Sequence, residues 1–225
     1  MLVLVLDTAT PAITAAVADL GDGGIELRAQ RVTVDGRAHG ELLAPSIDAV
    51  LTEAGVKPFD LSAIVVGVGP GPFTGLRAGL VTAATMSSAL GIPAYGVCTL
   101  DALGAATVGT VLVATDARRR EIYWAVYRDG LPGTPPKVAK PAEVAIAIAS
   151  EGVLRAVGEG AEKYAELLGV SAEAPSFPPP IEFARLAADR VRAKAPSEPL
   201  TPLYLRRPDA VEPATRKPAL AAGER

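Results

Sequence analysis

Histidine and cysteine are almost missing from this chain, which has one of each, His39 and Cys98. A single cysteine forbids an internal disulfide and fits a reducing compartment. Within the apolar stretch AYGVCTL it reads as a buried structural thiol ahead of a nucleophile. A serine–histidine–aspartate triad could be built only around His39. A helical metal pair would need a second ligand four residues on, where Leu43 stands. A solvent-facing or hydrogen-bonded His39 is therefore expected. An excess of basic charge is also lacking: 22 Lys and Arg face 25 Asp and Glu, and no stripe of cations forms. Phosphate neutralisation is what drives nucleic-acid affinity, so such a chain is a poor unaided binder.

Long hydrophobic runs are absent too. Residues 78–100 carry no charge, but Gly91 and Pro93 divide them into helix, turn and strand. The opening MLVLVLDTAT meets Asp7 too early for a signal sequence. The expectation is a cytoplasmic protein with no membrane segment. What the chain does have is 225 residues, 49% hydrophobic and 21% charged, enough to bury a sizeable core as one domain or two small ones.

The pattern predicts an α/β fold. A continuous apolar strand over 2–6 is followed by a hairpin of two strands around GDGG. A helix over 38–54 comes next, with Pro45 expected to kink or restart it. Then come a strand over 63–68, a helix over 74–90 and a strand over 94–98. The order begins again near residue 111. VLVATDARRREIYWAVYRDG can be laid on LVLVLDTATPAITAAVADLGDG, with Asp116 falling on Asp7. A helix over 141–150, a strand over 153–157 and helices over 161–168 and 183–194 complete a shorter second copy. The expected division is a lobe over 1–105, a degenerate second lobe over 106–210 and a frayed tail over 211–225.

A strand ending in Asp7 before Thr8, paired across the halves with Asp116, is how actin-like ATPases hold a nucleotide. The glycine normally found two residues after the aspartate is replaced by Ala9, so turn and capping roles compete with a vestigial nucleotide site. The stretch VVGVGPGPFTGLRAGL is no better as a phosphate cradle. It has no Walker lysine, Pro72 stands where a dinucleotide fingerprint needs glycine, and Pro70 and Pro72 remove two N–H donors. A weak anion site at the helix N-terminus stays open. Thr74 is the expected N-cap. Along the helix, Gly75, Gly79, Ala83 and Ser87 form a ridge of small residues at spacing four that admits another helix closely. The ridge does not itself say whether that helix is internal or belongs to a partner. In DARRREIYW, the arginines 118 to 120 read as solvated turn charge, with contact to a partner or to nucleic acid as the alternative.

Together, LVLDTAT, AHGELLAPSIDAVL, VVGVGPGPFTGLRAGL, GIPAYGVCTLDAL, TDARRREIYWAVY and PLYLRR resemble the TsaB family of bacterial tRNA threonylcarbamoyladenosine biosynthesis proteins. The resemblance implies a duplicated actin-like (ASKHA) fold of two lobes, each a mixed sheet with flanking helices. It implies a noncatalytic subunit that pairs with the transferase TsaD and works with the ATPase TsaE and, through the complex, with tRNA. A homodimer is the form expected of the chain alone. No tightly bound cofactor is expected, ATP entering only with the complex. The catalytic sister's metal-binding histidines fall on Thr99 and Leu103, which makes a metal unexpected. The expected partner interface comprises Gly71, Phe73, Thr74, Gly75, Gly79, Ala83 and Ser87 with Leu43 and Ile47 of the preceding helix. The family loop usually has serine where Pro72 stands, and nothing matches beyond Arg207. An active actin-like ATPase or small-molecule kinase, and a metallopeptidase, are the rival functions.

Overall fold

The computed structural model describes residues 1–21 and 23–206, so the tail expected over 211–225 lies outside the described residues. The first lobe is built on a sheet of β1 (Leu2–Asp7), β2 (Ala12–Gly21), β3 (Gly24–Val34), β4 (Leu61–Gly67) and β5 (Ala94–Val97). Its strand order is β3-β2-β1-β4-β5, antiparallel through β1 and parallel beyond it. Helix α1 (His39–Ala54) joins β3 to β4, α2 (Phe73–Leu90) joins β4 to β5, and α3 (Thr99–Gly104) follows β5.

The second lobe repeats this plan with shorter pieces. Its strands are β6 (Thr110–Asp116), β7 (Ile122–Arg128), β8 (Leu131–Pro132), β9 (Lys137–Ala139), β10 (Arg155–Val157) and β11 (Ser171–Glu173). The sheet order is β11-β10-β6-β7-β8, with β9 also paired to β7. Helices α4 (Pro141–Ala149), α5 (Glu159–Leu168) and α6 (Pro180–Arg192) stand where α1, α2 and α3 stand in the first copy. The duplication expected from laying Asp116 on Asp7 is thus realised in strand order, with β9 added in the second copy, and both aspartates end the central strand of their sheet.

The continuous apolar runs are central strands covered on both faces. Leu4 and Leu6 of β1 and Ile64 and Val66 of β4 pack under α1 and α2 with Leu43, Ile47, Leu76 and Leu80. The alternate residues Val3, Val5, Ala63 and Val65 point to the other face, where α6 supplies Phe183, Ala184, Ala187 and Val191. On the second sheet Leu112 and Ala114 meet Val144 and Ile148 of α4 and Ala161 and Leu168 of α5. The opposite face, Val111 and Val113, is covered by Leu100 and Leu103 of α3.

The last helix of each copy therefore covers the other copy's sheet. A boundary at residue 105 separates the two sheets but cuts across both cores. Tyr127 Oη donates to Asp101 Oδ1 at 2.7 Å, tying α3 to β7. Tyr95 Oη donates to the Ala195 carbonyl at 2.6 Å, and Arg190 donates to the Gly96 carbonyl at 3.1 Å, tying the end of α6 to β5. Neither lobe has a complete core without a helix from the other.

Local signals place most of the ends. Pro141 and Pro180 open α4 and α6, where a missing N–H costs nothing. Gly55 and Gly91 stop α1 and α2 in the left-handed conformation, at φ 66° in both. Two expectations fail, and two short elements went unforeseen. Helix α1 runs through Pro45 as one helix: the carbonyl left without a donor belongs to exposed Glu41, where water can satisfy it. Thr74 is not the N-cap, because α2 starts one residue earlier, with Pro72 at the cap and no side-chain cap bond. Helix α3 and strand β11 are too short for periodicity to reveal.

Phe183 is fully buried between α6 and the first sheet. Phe183→Ala should lower unfolding free energy by roughly 3–5 kcal/mol, the usual cost of an aromatic cavity. Denaturant titration should show one cooperative transition moving as a whole, since the deletion weakens a joint between both ends of the chain. A loss below about 1 kcal/mol would contradict this packing.

Candidate functional site

The two central strands end facing one another across the junction of the lobes. Asp7 there is completely buried. Its Oδ1 accepts from Thr99 Oγ1 at 3.0 Å and from the Ala9 N–H at 3.4 Å, while Oδ2 has no partner. Burial pushes its carboxyl up to about 7, only partly opposed by those hydrogen bonds. Glu159, at the start of α5, is also pushed up to about 7, mainly by burial and further by the charges of Asp116 and Asp7. Its Oε1 accepts the Asp116 N–H at 3.1 Å, and its Oε2 is unpartnered. Asp116 itself is more open and is ion-paired to Lys163 at 3.0 Å.

The loop that precedes α2 is seated directly on the first of these turns. A Cβ on Gly67 would run into the Asp7 carboxylate, and one on Gly71 into the Ala9 backbone. Thr8 is locked from the side: its Oγ1 donates to the Gly75 carbonyl at 2.7 Å and accepts from the Gly79 N–H at 3.0 Å. Those two groups are an i, i+4 pair of α2, so the hydroxyl is inserted at a rung of the helix's own hydrogen-bond ladder. Only glycines allow it. A Cβ at Gly79 would lie 2.5 Å from Thr8 Oγ1, and one at Gly75 would lie 2.8 Å from the Thr8 carbonyl. His39 completes the cluster, its Nε2–H donating to the Thr10 carbonyl at 2.8 Å.

In this geometry the chain's own atoms cover most of the residues expected at a partner interface. Gly75, Gly79 and Ala83 are buried, and the helix ridge meets the chain's own β1–β2 turn. Leu43 and Ile47 belong to the core beneath α1. Gly71 is buried against Ala9, and Ser87 donates to the Ile92 carbonyl at 2.6 Å. Of the nine residues, only Phe73 and Thr74 are exposed. The outward faces of the paired helices are made by other residues, Gly40, Ala44 and Pro45 on α1 and Val81, Ala84 and Thr85 on α2.

Of the expected nucleotide residues, Thr8 and Asp116 reach a common cavity and Asp7 does not. A cavity of about 650 Å³ opens between the lobes, lined by Thr8 and Asp116 but not by Asp7, which lies beneath its floor. At the positions of the sister's metal ligands, the Thr99 hydroxyl is bonded to Asp7 and Leu103 lies in the second lobe's core. Among the described residues no group of three or more His, Cys, Asp or Glu could hold a metal. The Cys98 thiol is pushed up to about 12, chiefly by burial, which leaves it unreactive as a nucleophile. Sequence reasoning missed Glu159 and Lys163, although β10 and the Gly158 turn mirror the β4–α2 junction. It also missed Tyr123, Tyr204, Arg37 and Arg206, which reach the cavity from four separate segments.

Two lobes of one repeated plan, each with a central strand that ends in an aspartate near the junction, define an actin-like (ASKHA) fold. The family model described as "TsaD: tRNA N6-adenosine threonylcarbamoyltransferase" matches residues 32–196. A Mycobacterium tuberculosis protein described as uncharacterized is 50% identical over 208 residues, 92% of this chain and 93% of that one. The Escherichia coli tRNA threonylcarbamoyladenosine biosynthesis protein TsaB is 33% identical over 133 residues, 57% of this chain and 55% of that one. YeaZ from Pseudomonas aeruginosa superposes with a TM-score of 0.75 at 28% identity, covering 91% of this chain and 99% of that one. The chain belongs to the family that this model describes, on its TsaB side.

Two predictions test the clamp. Gly79→Ala should destabilise the fold, because its Cβ displaces the Thr8 hydroxyl, and Thr8→Val should do so less, by about 1–3 kcal/mol for the orphaned partners. Thermal unfolding would reveal the idea as wrong if Gly79→Ala were stabilising, as alanine in an open helix would be. The second concerns pH. Unfolded carboxyls ionise near 4, whereas Asp7 and Glu159 hold their protons to about 7. Between these values the folded state binds more protons, so stability should fall as pH rises from about 4 to about 7. Asp7→Asn keeps the Oδ1 acceptor and has no charge to bury, so it should flatten that slope. An unchanged slope in denaturant midpoints would refute the assignment.

Proposed function

We propose that this chain is a noncatalytic subunit in the formation of N6-threonylcarbamoyladenosine in tRNA, docking on a TsaD-type transferase. The observation that carries this reading is the burial of Asp7 beside the cleft. Asp7 is sealed beneath the α2 loop and unavailable to any ligand that does not first lift it. A group that acts on substrate must reach it, whereas a subunit that presents a rigid surface gains from a sealed junction. The family membership and the TsaB relatives supply the pathway.

The outward faces of α1 and α2 are the docking surface in this reading. They expose Ala44, Pro45, Val81 and Ala84 on helices made rigid by the core below. A second copy of this chain can use the same face when the transferase is absent, and a TsaE-type ATPase joins the assembled pair. ATP belongs to that assembly, and the proposed place of action is the cytoplasm. No helix among the described residues is long and apolar enough to cross a membrane.

Reconstitution with the transferase, the ATPase, ATP, the threonylcarbamoyl donor and tRNA tests the reading. Omitting this chain should abolish multiple turnover. Val81→Arg, on the 62% exposed outer face of α2, should leave the fold intact and weaken assembly at least about tenfold. Asp7→Asn should retain activity within a few-fold, where loss of a general base would cost roughly 10²-fold or more. A loss of that size, with assembly intact, would favour an active ATPase. Modification that proceeds without the chain would end the proposal.

A further inference from the structure

The same cleft has a second property that the docking role leaves unused. Arg37, from the β3–α1 loop, and Arg118 and Arg119, from the β6–β7 turn, line it together with Arg206. Although these residues are scattered through an acidic chain, they gather at one opening. Among the described residues, the guanidinium groups of Arg37 and Arg118 enter no ion pair, while Arg206 is paired with Glu121 and donates to the Ala117 carbonyl at 3.0 Å. Among the described residues, the one acidic residue lining the cavity, Asp116, is ion-paired with Lys163. The cavity is therefore a concentrated positive patch on a protein of net charge −3.

The turn that presents two of these cations is held in a conformation that side chains rarely adopt. Arg118, Arg119 and Arg120 have φ of 60°, 53° and 62°, three successive left-handed residues, each of which costs of order 1 kcal/mol or more. The turn is closed by Glu121 N–H on the Arg118 carbonyl at 2.9 Å and by Ala117 N–H on the Glu121 carbonyl at 2.9 Å. On the cavity's rim an aromatic platform accompanies the charge. Phe73 and Tyr204 stack with centroids 5.3 Å apart and are 44% and 41% exposed. Arg77 lies over the Phe73 ring at 3.6 Å and donates to Tyr204 Oη at 3.1 Å, fixing the pair.

We infer that this cleft binds a single-stranded stretch of RNA, its phosphates on Arg37, Arg118 and Arg119 and a base on the Tyr204–Phe73 platform. Charge alone would serve an acidic peptide equally well. The exposed aromatic pair beside Arg37 and Arg118, which enter no ion pair among the described residues, favours RNA, since stacking platforms flanking a positive groove are the means by which single strands are held without sequence readout. The inference rests on the tRNA-modifying role proposed above and would make this chain a direct RNA contact of the assembly.

Fluorescence anisotropy of the full chain, alone and assembled with the transferase subunit, would be followed with a labelled RNA hairpin carrying an anticodon-type loop. Arg37→Ala/Arg118→Ala should weaken binding at least about tenfold and flatten the salt dependence by roughly 0.7 per lost phosphate contact. Arg37→Lys/Arg118→Lys should recover most of the affinity, as should be true for point-charge contacts to phosphate. Tyr204→Ala should weaken binding while leaving the salt slope unchanged, and Arg192→Ala, exposed on α6, should behave as wild type. Wild-type affinity in the double alanine variant, or no RNA binding in either state, would overturn the inference. So would loss of transferase-subunit binding with RNA affinity intact, the result expected of an acidic protein segment in the cleft. If modification proceeds without this chain while the arginine-dependent RNA contact persists, the proposed function fails and this inference survives. If the chain is required but the arginines do not matter, the reverse holds.

Discussion

A single hydroxyl organises the junction. Thr8 Oγ1, just past the end of β1, lies between the Gly75 carbonyl and the Gly79 N–H of α2. It thereby binds the first strand–turn unit to the helix that follows β4, across most of the first lobe. Because the insertion requires two glycines one helical turn apart, α2 lies closer to the β1–β2 turn than any residue with a side chain would permit. The burial of Asp7, the seating of the loop on Ala9 and the entry of α2 without a side-chain cap all follow from that approach. The loop is held by contact rather than by a cap.

The exchange of helices between lobes gives the junction its stiffness. With α3 covering the second sheet and α6 covering the first, opening the cleft would disturb two cores and the Tyr127–Asp101 and Tyr95–Ala195 hydrogen bonds. Two lobes that merely abutted could hinge about a loop at much lower cost. Rigidity of this kind suits a surface offered to another protein, and it has a price in two carboxyls buried without full partners. At neutral pH each remains near the point of gaining or losing its proton.

Charge is distributed so that composition conceals it. The chain as a whole is acidic, and many of the described arginines are ion-paired at the surface, as Arg28 is with Asp19 and Arg155 with Glu173. Arg37 and Arg118, 81 positions apart by number, enter no ion pair among the described residues and are brought to one cavity by the pairing of the lobes. Field at a cleft depends on which charges are neutralised locally, and a net charge carries no information about that.

The repeated plan was legible in the sequence, because apolar strands buried on both faces leave continuous runs and because both copies end their first strand in aspartate. That Leu103 carries no donor atom for a metal likewise needs only residue identity. Helix stops at Gly55 and Gly91 were legible for the same local reason: a left-handed residue favours glycine wherever it occurs. The role of the ridge Gly75, Gly79 and Ala83 was not, since small residues at spacing four state only that something approaches closely. Tertiary structure decided that it is Thr8 and the chain's own sheet. The crossing of α3 and α6 and the gathering of Arg37, Arg118 and Tyr204 were likewise undecidable from pattern, because contacts between distant segments depend on how the two sheets face each other, and no local periodicity records that.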